Sequence, residues 1–154
     1  MSFDLITTHA ALALASRHAR EAAPQETGGV LVGWREGSSI VVDHLLLVPN
    51  STEAVGDYWR RHGEASDSLQ EYLDAAADSR LGYVGEWHSH PRPSGASATD
   101  IRSISAIVRE TRSPVALIVM VVAHDAVTVT AESWVGSRHA FRRIKVRLVD
   151  LTAV

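Results

Sequence analysis

Val84-Gly85-Glu86-Trp87-His88-Ser89-His90-Pro91-Arg92-Pro93-Ser94-Gly95-Ala96-Ser97-Ala98-Thr99-Asp100 is the stretch that decides how this chain is organised. Leu81, Tyr83, Val84 and Trp87 make its start apolar, which reads as a strand from Leu81 onwards. On a strand, residues two apart share a face, so His88 and His90 project to the same side. Pro91 and Pro93 cannot donate to a ladder and end the strand, and Ser94-Gly95 continues the loop. Thr99 is placed to cap a helix over 100–112, with Ile101, Ile104, Ile107 and Val108 on its apolar side. Asp100 then stands at a helix start, within reach of the two histidines.

Two imidazoles and one carboxylate leave a tetrahedral zinc with one open position, the pattern of catalytic sites. A bare His-x-His is equally compatible with two ordinary strand-end histidines. The Pro91 stop and the Ser97-x-x-Asp100 element at a helix start favour the metal. Zero cysteine removes disulfides, a Cys-His nucleophile and thiolate zinc sites together.

His88-Ser89-His90-Pro91 followed by Ser97-x-x-Asp100 resembles the core of the JAMM metalloprotease motif of MPN-type (Mov34/JAB) domains. Upstream, Pro24-Gln25-Glu26-Thr27-Gly28-Gly29-Val30-Leu31-Val32-Gly33 resembles the first motif of the prokaryotic JAB branch. Six residues separate His90 from Ser97, one fewer than is usual in that family. The loss falls in a Pro/Gly/Ser loop, where length change is tolerated, and leaves Ser94 as a second candidate serine. The resemblance implies a zinc ion on His88, His90 and Asp100, with Glu26 as general base and Ser97 as oxyanion donor. Glu86, on the same strand face as the histidines, is a candidate partner behind the ligands or a stray ligand.

The remaining chain supplies a frame for this stretch. Residues 3–6 read as a short strand or lead-in, and Thr7-Thr8 as a cap. A helix over 9–23 follows, with Leu12, Ala15, Ala19 and Ala22 inward and Pro24 at its end. His9 and His18 are expected at the surface or its boundary. A strand over 28–35 pairs across Glu36-Gly37-Ser38-Ser39 with one over 40–48, whose near-continuous apolar run suggests cover on both faces. Gly28 and Gly29 make the segment after Glu26 pliable. Residues 49–63 are irregular, with Tyr58 and Trp59 read as core anchors. A helix over 64–79 turns Leu69, Leu73 and Ala76 inward.

After Ser113-Pro114, strands over 115–123 and 126–135 form a hairpin across His124-Asp125. A last strand over 139–151 alternates Ile144, Val146 and Leu148 with Arg143, Lys145 and Arg147. Its basic stripe suits an exposed sheet edge, or an acidic partner. The whole is an α/β single domain over 1–154, a mixed central β-sheet flanked by helices. The family resemblance implies the same, a cytidine-deaminase-like sheet.

Composition narrows the function further. The 154 residues carry a net charge of −3, which gives no general nucleic-acid signal. No apolar run approaches the roughly 18 residues of a membrane span. The start Met1-Ser2-Phe3-Asp4 lacks the basic opening of a secretory signal, so a prokaryotic cytoplasm is expected. The resemblance implies a peptidase or isopeptidase acting at the C-terminal tail of a ubiquitin-like protein. Its partners would be conjugation, antiphage or sulfur-carrier operon enzymes, without nucleic acid or membrane. Three competing readings remain: a zinc amidohydrolase on a small molecule, a non-catalytic binding module of the same fold, and, on the basic stripe alone, a nucleic-acid protein.

Overall fold

The computed structural model describes residues 2–48, 62–91 and 97–150. In chain order the elements are β1 (Asp4–Thr8), α1 (His9–Ala22), β2 (Gly28–Glu36), β3 (Ser39–Leu47), α2 (His62–Ala76), β4 (Gly82–His90), α3 (Ala98–Thr111), β5 (Val115–Val122), β6 (Val129–Gly136), β7 (Phe141–Arg143) and β8 (Val146–Val149). The expected Tyr58 and Trp59 anchors and Ser94 lie outside the described residues, as do most of 49–63 and the end of the expected last strand.

The eight strands among the described residues join one mixed sheet in the order β7-β6-β5-β4-β2-β3-β1-β8. The β1–β3, β1–β8 and β4–β5 pairs are parallel and the others antiparallel. β5 is its most deeply buried strand. Val115, Leu117 and Val119 pack on Ile104, Ile107 and Val108 of α3. The alternate residues Ala116, Ile118, Met120 and Val122 join the cluster around Ala11, Ala15 and Ala19 of α1. Cover on both faces is why β5 is a continuous apolar run. The same reading of β3 holds in part: Ile40, Val41, Val42 and Leu45 are buried, but Leu47 is 40% exposed.

α1 begins on Thr8, whose side chain accepts from the Ala11 N–H. Alanines on its inner face let the curled sheet close in around it. On the opposite side, α2 lies against β2, and its Tyr72 ring stacks on His44 of β3 with centroids 4.7 Å apart. Leu69 and Leu73 are half-buried as expected, whereas Ala76 is exposed and Tyr72 takes the inward place. The expected tight turn at His124-Asp125 is a longer connection, because Asp125 accepts from the Val127 and Thr128 N–H groups and the Thr128 hydroxyl. His124 is exposed there.

The expected single strand over 139–151 is instead divided. β7 pairs antiparallel with β6, and β8 pairs parallel with β1 at the opposite edge of the sheet. The two pieces run in the same direction and are separated only by Ile144 and Lys145. One extended segment thus hands over from one edge to the other and draws the sheet into a near-closed curl around α1. Ile144 fixes the handover: its N–H donates to Ser133 O at 2.9 Å, and the Ser133 hydroxyl donates to Ile144 O at 3.0 Å.

Candidate metal centre

β4 carries the two histidines, and upstream of them its pairing with β2 is irregular. Leu31 pairs with Gly85 and Val32 with Tyr83, so Val84 is an extra residue in β4. The bulge reverses the alternation below it. Tyr83 therefore shares the α3-facing side with Glu86, His88 and His90. Trp87 points the other way, is 1% exposed, and donates its indole N–H to Leu46 O at 3.1 Å. This anchors β4 at the residue just before His88.

The third member comes from α3. Thr99 was expected as the cap, but Ser97 takes that place and Asp100 is the third helical residue. The Ser97 hydroxyl oxygen accepts from the Asp100 N–H at 3.2 Å, and the Ser97 N–H donates to Asp100 Oδ2 at 2.7 Å. This reciprocal capping box turns the carboxylate back over the helix start. Burial pushes the Asp100 carboxyl up, but hydrogen bonding and charge from His88, with hydrogen bonding from the backbone and side chain of Ser97, outweigh it and hold the carboxyl below its usual range.

His88, His90 and Asp100 converge as a group able to hold a metal ion. His88 Nε2 lies 3.0 Å from His90 Nε2, and Asp100 Oδ2 lies 3.3 Å and 3.7 Å from them. Ligand bonds of 2.0–2.1 Å at tetrahedral angles place neighbouring ligand atoms about 3.3 Å apart. The observed triangle is thus close to one face of a zinc tetrahedron. Two imidazole nitrogens facing each other beside one carboxylate oxygen are also a donor set that a cation satisfies better than protons do. The residues fit the metal.

Glu26 sits in the lead-in to β2, half-exposed. Gly28 pairs with His88. Beyond it, Ser89 N–H donates to Thr27 O at 2.8 Å, and Thr27 N–H donates to Ser89 Oγ at 2.9 Å. Glu26 is the residue just before this contact between Thr27 and Ser89. Gly28 was read as pliable; its role is close approach. A Cβ there would lie 2.5 Å from Trp87 O and 2.9 Å from His88 Cβ.

Glu86 stands behind the centre, 6% exposed. Burial pushes its carboxyl up to about 8, against the lowering effect of the Tyr83 hydroxyl, which lies 3.3 Å from Oε1. Tyr83 was not singled out from sequence, since the bulge that turns it to this face leaves no mark in the hydrophobic pattern. Ser97 is exposed at the helix start.

The family model described as prokaryotic homologs of the JAB domain matches residues 8–136. The chain belongs to that family. The mixed sheet with its three described helices is accordingly a JAB domain. A CD-NTase/cGAS isopeptidase from Pseudomonas aeruginosa is 28% identical over 99 residues, 61% of this chain and 62% of that relative. The solution structure of a Desulfitobacterium hafniense protein superposes with a TM-score of 0.62 at 21% identity, over 95% of this chain and 93% of that one. That likeness bears on the JAB fold alone. β7 and β8 lie beyond the residues the family model matches.

Proposed function

We propose that this JAB domain is a zinc-dependent isopeptidase that cleaves the bond between the C-terminal tail of a ubiquitin-like protein and an amine. The observation that carries the reading is the His88–His90–Asp100 triangle, its edges matched to a tetrahedral zinc face. A zinc ion held there supplies Lewis acidity and lowers the pKa of water to about 7. Glu26 takes a proton from the attacking water and delivers it to the departing amine nitrogen. The Ser97 hydroxyl donates to the carbonyl oxygen as negative charge gathers on it. One water is consumed, releasing a carboxylic acid and an amine.

Among the described residues Ser97 is exposed, as access by a protein substrate requires. The similar CD-NTase/cGAS isopeptidase makes a CD-NTase conjugate the first to assay, beside a ubiquitin-like fusion. The test is cleavage of both by zinc-loaded protein and by Glu26→Gln. The variant is expected to keep zinc and fold but turn over at least about a hundredfold more slowly. Near-normal turnover by zinc-loaded Glu26→Gln would move the base elsewhere, to Glu86 first.

A further inference from the structure

The handover from β7 to β8 leaves a wedge. β6 runs on to Val129, but β7 covers only Trp134, Val135 and Gly136. Ser133 O accepts from Ile144 on that side, so by the period of two the Ala131 N–H and C=O face the same way. Among the described ladders, residues 129–131 pair with β5 alone. β8 pairs with β1 on one side only. The two strand edges diverge from Ile144 and Lys145 and enclose a cavity of about 370 Å³. Leu12 of α1 lines it, as do Ala131, Ile144, Val146 and Leu148. Leu148 is 40% exposed.

The rim is mostly basic, with Glu132 the acid among the lining residues. Residues 138–147 hold five of the chain's fifteen Lys and Arg residues and no acid, in a protein of net charge −3. Arg143 and Lys145 line the cavity, and Arg147 is exposed beside it. Glu132 meets Arg143 at 3.9 Å, which leaves Lys145 and Arg147 to set the field.

We propose that this wedge binds an extended segment of a partner protein in which apolar and acidic residues alternate. The segment adds as a strand to the β6 edge at Ala131, its apolar side chains enter over Leu12 and Val146, and its carboxylates meet Lys145 and Arg147. A nucleic acid would use the cations but not the strand edge or the apolar floor. The site is separate from the proposed catalytic centre.

The test uses the full ¹⁵N-labelled chain and the peptide acetyl-Val-Glu-Val-Glu-Val-Glu-amide. Saturable binding is expected, with amide exchange at Ala131 slowed about tenfold or more. Lys145→Glu, at an exposed position, should weaken binding at least about tenfold through reversed charge. Ala131→Pro removes the outward N–H and should abolish binding while an unchanged thermal melt reports the fold. His88→Ala should bind the peptide as the parent does, so loss of the metal centre and loss of this site are distinguishable. Equal binding of the Val-Lys counterpart, displacement by oligothymidylate at equal concentration, unchanged Ala131 exchange, or full affinity in Lys145→Glu would each overturn the proposal.

Discussion

Ser97 and Asp100 hold each other at the start of α3, through bonds of 2.7 Å and 3.2 Å running in opposite directions. The serine proposed to serve the oxyanion is therefore also the helix cap, and an alanine there mixes the two losses. Glycine separates them, since it caps nearly as well and costs only a few tenths of a kcal/mol. Ser97→Gly is expected to melt close to the parent yet lose roughly a hundredfold or more in kcat, with little change in KM. Ser97→Ala should lose stability as well, by about 1 kcal/mol. Undiminished turnover in Ser97→Gly would remove the hydroxyl from the chemistry, with Ser94→Ala the next variant to measure.

Metal content tests the centre without any substrate. About one zinc per chain is expected in the purified protein, and His88→Ala, His90→Ala and Asp100→Ala should each lose most of it. Asp100→Ala also removes half of the capping box, so its melt should fall furthest. Full occupancy in either histidine variant, read by elemental analysis, would exclude these side chains as ligands.

Glu86 gives a pH dependence whose sign is fixed by its burial. The carboxyl titrates near 4.5 in the unfolded chain and near 8 in the folded one. Between those values the folded protein retains a proton that the unfolded chain has released, so stability falls as pH rises. Below about 4.5 both states are protonated and nothing is lost; above about 8 the cost is complete. The middle of the window should slope by up to about 1.4 kcal/mol per pH unit. Urea unfolding of metal-free parent and Glu86→Gln across this window should show the slope in the parent only. Parallel curves would show that Glu86 ionises in the fold as freely as in the open chain.

The grouping of His88, His90 and Asp100 was legible in the sequence because strand period and motif spacing are local. Two residues apart on a strand is one face wherever the strand lies. Two things were not local. The Val84 bulge depends on a register between β2 and β4, and it alone brings Tyr83 to Glu86. The division of the last strand depends on the curl of the whole sheet, since the alternation of Ile144, Val146 and Leu148 suits either edge. Thr99 was mistaken for the cap for a simpler reason: Ser97 and Thr99 both have cap chemistry, and only the bond to the Asp100 N–H decides between them.

Gly28 supplies the last test, because it separates a glycine needed for space from one needed for its backbone. At Gly28 an added methyl meets Trp87 O and His88 Cβ, both held in the ladder beside the metal ligands. Gly28→Ala should therefore push β2 from β4, costing about 1–3 kcal/mol, and displace the His88 ring. A displaced ligand should weaken zinc about tenfold or more in a chelator competition. Gly37 stands at φ +59° in the β2–β3 turn with open space around it. Gly37→Ala should cost about 1 kcal/mol through its left-handed backbone and leave zinc affinity unchanged. Equal zinc affinity in the two variants would mean that β2 yields without moving His88, and that the first motif's glycine does not shape the metal centre.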